Sequence, residues 1–292
     1  MSSVLSNPVA APAVPFRKMN GLGNDFVVID ARGEPLAISD DQARAIADRK
    51  KGVGCDQLIV MEQSPIADVK MRIWNAEGGE VQSCGNASRC IADIVMGERK
   101  SDSVTIDTVG GFLSAKRAGP MMVTIDQGKP RFGWKEIPLS EAFADTRHIE
   151  LQIGPIDKPL LHSPSVVNVG NPHCIFWVND LDVVDLAKVG PMIEHHPLFP
   201  ERTNVELAQV VSRDHVILKV WERGAGLTKA CGTAACATMA AGHRLRLIDS
   251  KCRITLPGGD LFMAVNEENG HVLMTGPVEY EYEGVLPAGL LG

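Results

Sequence analysis

The chain has 292 residues, 45% of them hydrophobic and 22% charged, which is the balance of an ordinary globular protein of about two domains and excludes disorder or a coiled coil. Its 29 basic and 36 acidic residues leave a net charge of −7 with no basic block, so nucleic acid is excluded as a partner held through phosphates. Seven cysteines, an odd number without C-x-x-C spacing, suggest neither a disulfide framework nor a zinc knuckle; they read as free thiols in a reducing cytoplasm.

Residues 1–14 lack Lys and Arg and are broken by Pro8 and Pro12, so they read as a mobile tail and not as a secretory leader. Runs rich in β-formers follow at 26–29, 58–61 and 69–74. Gly78 and Gly79 interrupt the chain. Cys84 then opens a run whose later part, 87–96, is apolar on most sides, as a fully buried helix requires. Strand-like runs at 104–106 and 121–125 precede a linker at 127–134 marked by Gly128, Pro130 and Gly133. Segment 160–179 has no Lys, Arg, Asp or Glu, but Pro164, Asn168, Gly170, Asn171 and Pro172 divide it into strands and turns, one strand covering 174–178; no membrane span is expected. Residues 216–221 form another strand. Gly224 and Gly226 follow it, and Cys231 opens a second helical run through Ala234, Ala235, Ala237, Met239, Ala240 and Ala241.

These segments repeat. Trp74 stands ten positions before Cys84-Gly85, and Trp221 ten before Cys231-Gly232. The offset of 147 also carries Gly23-Asn24 onto Gly170-Asn171, Gln57 onto Asn204, Thr108 onto Thr255 and Gly111 onto Gly258. A single offset without gaps implies two similar halves of about 130 residues, each a β-rich shell around one buried helix.

The repeat also places the chemistry. A helix start offers free N–H groups and partial positive charge. A thiol there is expected to ionise more readily, and a substrate carboxylate can be held on the same N–H groups. If the halves face one another, Cys84 and Cys231 flank one carbon: one sulfur removes a proton and the other delivers one to the opposite face. Cys90, Cys236 and Cys252 lack this paired context and read as core, as do Cys55 and Cys174. Asn24, Gln57, Asn75, Asn171 and Asn204 supply amides suited to a zwitterion. Glu222-Arg223 offers partners for an ammonium and a carboxylate. His173 is placed to tune a thiol. His195-His196 has no third metal ligand, Gly21-Leu22-Gly23 is not a dinucleotide fingerprint, and Gly128-Lys129-Pro130 is not a P-loop.

Asn20-Gly-Leu-Gly-Asn-Asp-Phe26, Asn75-Ala-Glu-Gly-Gly-Glu80, Cys84-Gly-Asn86, Glu222-Arg-Gly-Ala-Gly226 and Ala230-Cys-Gly-Thr233 closely resemble diaminopimelate epimerase over nearly the whole chain. The resemblance implies a cofactor-independent enzyme that interconverts LL- and meso-2,6-diaminopimelate on the route to lysine and peptidoglycan. It implies an α/β fold of two pseudo-symmetric domains, each a mixed sheet wound around a central helix. The first would comprise 15–128 with 277–292, and the second 129–276. Cys84 and Cys231 match the catalytic pair, and His173 and Glu222 the groups that adjust them. Asn24, Gln57, Asn75, Gly85, Asn86, Asn171, Asn204, Glu222, Arg223, Gly232 and Thr233 match substrate contacts. Tyr282 matches a dimer-interface tyrosine, implying a homodimer. Ala87 and Ser88 stand where many members have Gly and Ala, and Leu227 where many have Glu. Other readings of the same residues are a proline- or histidine-type racemase, a thiol redox protein, and a small-molecule binding protein without chemistry.

Overall fold

A computed structural model describes residues 13–82, 84–287 and 289–291. Its helices are α1 (Asp40–Ala47), α2 (Gly85–Arg99), α3 (Leu186–Glu194) and α4 (Gly232–Arg244). Seventeen strands join in one mixed sheet, so the α/β character expected from the sequence holds.

Pro15–Gly21 pairs antiparallel with Asn24–Asp30, which runs parallel to Gln57–Glu62. That strand pairs antiparallel with Val69–Asn75, itself parallel to Ser103–Thr108, and a meander leads through Gly111–Gly119 to Met122–Asp126. Ser165–Asn168, Pro172–Trp177, Asn204–Ser212, His215–Glu222, Lys251–Leu256, Gly259–Val265 and Val272–Pro277 repeat the same series of parallel and antiparallel neighbours. Register repeats too: Phe26 pairs with Gln57 and His173 with Asn204.

The offset is not constant to the end. Thr108 closes its hairpin on Gly111, whereas Leu256 closes on Gly259. Both glycines have positive φ, +123° and +135°, where a Cβ is strained. Thr108 therefore corresponds to Leu256 and not Thr255, and Gly111 to Gly259 and not Gly258. The connection after α4 absorbs the extra residue. A slip within the strand would have turned every side chain to the wrong face.

Leu58, Ile59, Val60 and Met61 are all fully buried, which is why the strand reads as a continuous apolar run. The central strands of each half have an inner helix on one face and an outer helix on the other. α1 lays Ala43, Ile46 and Ala47 on Val27, Ile29, Leu58, Val60 and Trp74. α3 lays Leu186 and Ile193 on Cys174, Phe176, Val205 and Leu207. The inner helices share a single core: Ala87, Cys90 and Ile91 of α2 belong to one cluster with Ala234, Ala235 and Ala237 of α4. Met122–Asp126 pairs with Val272–Pro277, which makes the two halves one sheet, and Glu279–Val285 then returns to pair with Pro15–Gly21.

Most of the expected tail, 1–12, lies outside the described residues. Val14, placed in that tail, is instead held, its carbonyl accepting from Leu286 N–H. The expected linker is also tied down: Arg131 and Asn168 exchange backbone hydrogen bonds. A small ladder, Gln152–Ile153 with Leu161–His162, has no counterpart in the sequence reading. Ile137, Leu139, Ile149, Leu151 and Leu161 around it extend the apolar cluster under α3. Among the described residues no helix is long and apolar enough to cross a membrane.

Candidate active site

Cys84 and Cys231 are the N-cap residues of α2 and α4, both in extended conformation, and neither side chain caps its helix. The first turns thus keep their N–H groups open. The two helix starts meet. A Cβ built on Gly232 would lie 3.8 Å from the Cα of Gly85. Met274 is wedged against both: that Cβ would stand 3.0 Å from Met274 Sδ, and one on Gly85 2.6 Å from Met274 Cε. Glycine leaves room for this close approach at both positions.

In the first half Cys84 Sγ lies 3.9 Å from Asn24 Oδ1. The amide of Asn24 is oriented by Asp56, whose Oδ2 accepts from Asn24 Nδ2 at 2.9 Å. Asp56 is in turn paired with Arg49, which also holds Asp25 together with Lys18. Burial opposes it, but Arg49 and Lys18 hold the Asp25 carboxyl well below the usual carboxylate range. Gln57 Nε2 donates to Asn75 Oδ1 at 2.9 Å, and Gln57 Oε1 is buried without a partner among the described residues. Asn86 is buried and accepts from Arg89. Ser88 donates its hydroxyl to the Cys84 carbonyl at 2.8 Å.

In the second half Cys231 Sγ stands 3.4 Å from Thr233 Oγ1. Asn171 Nδ2 donates to the same hydroxyl at 3.4 Å. Asn171 Oδ1 lies 2.8 Å from His173 Nε2, and His173 Nδ1 lies 2.6 Å from Glu206 Oε1. His173 and Glu206 are both fully buried. His173 therefore reaches Cys231 through Asn171 and Thr233, with no direct bond to either thiol. Burial pushes the Glu206 carboxyl up, and His173 pulls it back. Glu222 Oε1 accepts from Thr228 at 2.5 Å. Burial raises Glu222 as well, while Thr228 and the Cys231 thiol oppose the rise.

The expected fall in thiol pKa at a helix start is reversed. Burial pushes both Cys84 and Cys231 up, Cys231 well above the ordinary thiol range. The amides of Ala87 and Asn86 pull Cys84 back, and that of Ala234 acts likewise on Cys231, but desolvation outweighs them. Glu222 also opposes the ionisation of both thiols.

The remaining expected residues separate. Asn204 is buried, with Nδ2 donating to Pro172 O and Oδ1 accepting from Arg223 N–H, so its amide is engaged in holding backbone. The Arg223 guanidinium donates to Glu201 O at the surface. Tyr282 lies on Glu279–Val285, half exposed, its ring edge-on to Phe16. All seven cysteines are free, and Cys55, Cys90, Cys174, Cys236 and Cys252 are buried. Leu227 is exposed and lines an open cavity of about 480 Å³ with Asp182, Asp185 and Lys219, which adjoins the cysteine site only through Thr228. Asp56, Glu206 and Arg89 are absent from the sequence reading. The only available signal was a charged residue set among apolar ones.

Two like halves, each a mixed sheet around one inner helix, define a fold class that distantly related solved structures share. A hydroxyproline epimerase from Agrobacterium vitis has this fold with TM-score 0.66 and 14% identity, over 96% of this chain and 94% of that one. A phenazine biosynthesis protein of the PhzF family from Bacillus anthracis matches with TM-score 0.65 and 18% identity, over 94% and 99%. Within that class, the model of the diaminopimelate epimerase family matches residues 16–133 and 165–281. Diaminopimelate epimerase of Rhodopseudomonas palustris strain BisB18 is 52% identical over 92% of this chain and 93% of its own, and that of Afipia carboxidovorans 50% over 94% and 96%. The chain belongs to the diaminopimelate epimerase family.

Proposed function

We propose that the protein converts LL-2,6-diaminopimelate to the meso form with Cys84 and Cys231 as the two bases and no cofactor, supplying lysine and peptidoglycan precursors. The observation that carries this reading is the meeting of two cysteine-capped helix starts at Gly85 and Gly232. The α-carboxylate sits on the open amides of both first turns. One sulfur, as thiolate, takes the α-proton; the electron pair passes into the carboxylate, held by those amides. The other sulfur, as thiol, delivers its proton to the opposite face. The stereocentre inverts and the thiolate now resides on the second sulfur. Thr233 positions Cys231 and Asn24 positions Cys84, while Glu222 meets the Cys231 thiol from His215–Glu222. The open Gln57 Oε1 accepts from a substrate ammonium beside Asn75.

The same reading divides the chain into 15–128 with 277–292, and 129–276, supported by the return of Glu279–Val285 to Pro15–Gly21. It places the enzyme in a reducing cytoplasm, in keeping with the free cysteines, as a homodimer contacting through Tyr282. Proton NMR of the reduced protein with LL-diaminopimelate in D₂O tests the chemistry. Deuterium entering one α-carbon as meso product accumulates is the expected result. Absence of exchange would overturn the reading, and faster exchange of proline would point to the racemase alternative.

A further inference from the structure

The second half holds a polar pair where the first has none. Shifted by 147, Phe26 falls on His173 and Ile59 on Glu206. All four side chains are fully buried, and their strands pair in the same register, Phe26 with Gln57 and His173 with Asn204. In the first half this slot is filled by a phenyl ring and an isoleucine of the shared apolar core. In the second it holds an imidazole and a carboxyl group 2.6 Å apart, and Glu206 Oε2 is buried without a partner among the described residues. Packing does not demand that pair: apolar residues serve in the same place, and a buried polar pair is seldom the more stable choice.

The pair leads to one sulfur. His173 Nε2 lies 2.8 Å from Asn171 Oδ1, Asn171 Nδ2 donates to Thr233 Oγ1 at 3.4 Å, and Thr233 Oγ1 stands 3.4 Å from Cys231 Sγ. An amide oxygen only accepts, so His173 Nε2 carries a proton. The amide nitrogen only donates, so the Thr233 hydroxyl accepts from it and keeps its own proton for Cys231 Sγ. Glu206 supports that arrangement. One more proton, shared between His173 Nδ1 and Glu206 Oε1, leaves the buried pair without net charge. A carboxylate beside a ring protonated at Nδ1 alone would bury a net negative charge and reverse the chain of donors. Burial and Glu222 push the Cys231 thiol up, and the Thr233 hydroxyl is first among the groups that pull it back, whereas a bare Glu206 carboxylate would add to the rise. Besides His173, the titratable groups facing Glu206 are Cys174, Cys231 and Glu222. Cys84 has no such chain: Asn24, which matches Asn171, turns its oxygen to that sulfur.

We propose that Glu206 is a positioning residue for Cys231: through His173 and Asn171 it aims the Thr233 hydroxyl at the sulfur, so that this hydroxyl donates to Cys231 whenever it is the thiolate. This rests on reading the two thiols as an acid–base couple, but its test observes the sulfurs directly. The full-length reduced protein is alkylated with iodoacetamide across a pH series, and the labelling of Cys231 and Cys84 is quantified by peptide mass spectrometry. In Glu206→Leu the Cys231 labelling rate at a given pH falls about tenfold, equivalent to a rise of one pH unit in its ionisation, while that of Cys84 stays in place. His173→Phe combined with Glu206→Ile, which copies the first half and removes both partners together, gives the same fall and decides the matter if Glu206→Leu does not fold. Glu206→Gln, whose amide still meets Nδ1, keeps most of the Cys231 reactivity. Thr233→Val slows Cys231 labelling by itself, and adding Glu206→Leu to it slows it no further. Faster Cys231 labelling in Glu206→Leu, the mark of a bare carboxylate acting through space, would overturn the proposal. So would an unmoved Cys231 profile, equal shifts of both thiols, or full additivity with Thr233→Val. Absence of α-proton exchange with the Glu206-dependent profile intact would instead remove the epimerase reading and keep this one.

Discussion

Replacing Gly85 by alanine tests whether the helix junction needs bare backbone. The added methyl would lie 2.6 Å from Met274 Cε and 3.4 Å from Gln127 Nε2. Carbon atoms in contact prefer about 3.5–4.0 Å, so Met274 must withdraw by about 1 Å. It has little room, being fully buried with its sulfur accepting from Arg89. Overpacking of this kind costs about 1–3 kcal/mol, and the flexible thioether keeps the figure near the lower end. A helix start displaced by up to about 1 Å lowers kcat/KM by about 10- to 100-fold. Gly232→Ala meets Met274 Sδ at 3.0 Å and Cε at 3.4 Å, and is expected to be milder on both counts. Urea denaturation and steady-state epimerisation read the two effects. Adding Met274→Ala to Gly85→Ala removes the clashing partner, so the double variant loses at least about 1 kcal/mol less than the two single losses combined. Strict additivity, or Gly85→Ala with undiminished kcat/KM, would refute the reasoning.

Cys84→Ser and Cys231→Ser each lower turnover by about 10²- to 10⁴-fold with circular dichroism unchanged, and a serine variant that kept most of its turnover would dismiss the two-base scheme. Glu206→Leu leaves His173 Nδ1 without its partner in the core and destabilises the protein by about 1–3 kcal/mol in urea titration, whereas Glu206→Gln keeps an acceptor and loses less; equal losses would mean that the hydrogen bond to His173 carries no weight. Cys90 and Cys236 ionise near 12 when folded against 9.0 when exposed, so above about pH 9 the unfolded chain releases thiol protons that the folded chain retains. Stability is therefore complete below that point and falls as pH rises toward 12, by about 1.4 kcal/mol per thiol at pH 10. A constant urea midpoint between about pH 8 and pH 10 would contradict this.

The repeat was legible because strand, glycine turn and helix start are contiguous in each half. Trp74 to Cys84 and Trp221 to Cys231 are local units whose spacing the fold cannot alter. What was not legible depends on pairing across long stretches of chain. The one-residue change between Thr108 and Leu256 falls in a connection with no periodic pattern. The junction of Met122–Asp126 with Val272–Pro277 joins segments some 150 residues apart, and nothing within either strand names its neighbour. The amides of the site were found because they lie in or beside apolar or glycine-rich segments. Asp56 and Glu206 act from neighbouring segments, and Arg89 from one turn along the same helix, on groups that were found, and a charge inside an apolar run carries no mark of its partner. The sign of the thiol shifts was misjudged for a related reason. Helix dipole is a property of the local chain, whereas desolvation depends on everything packed around it.

The seam between Met122–Asp126 and Val272–Pro277 bears on how this duplicated chain can come apart. Neither repeat is a free-standing unit. A fragment ending at Asp126 would expose the edge of its last strand and, without Glu279–Val285, the edge of Pro15–Gly21 as well. Exposed edges of that length invite pairing with other chains. It would also lack Met274 and the α4 face that complete the common core. The two copies are accordingly bound to melt in a single cooperative step, and the molecule has kept the outward form of two domains while surrendering their thermodynamic independence.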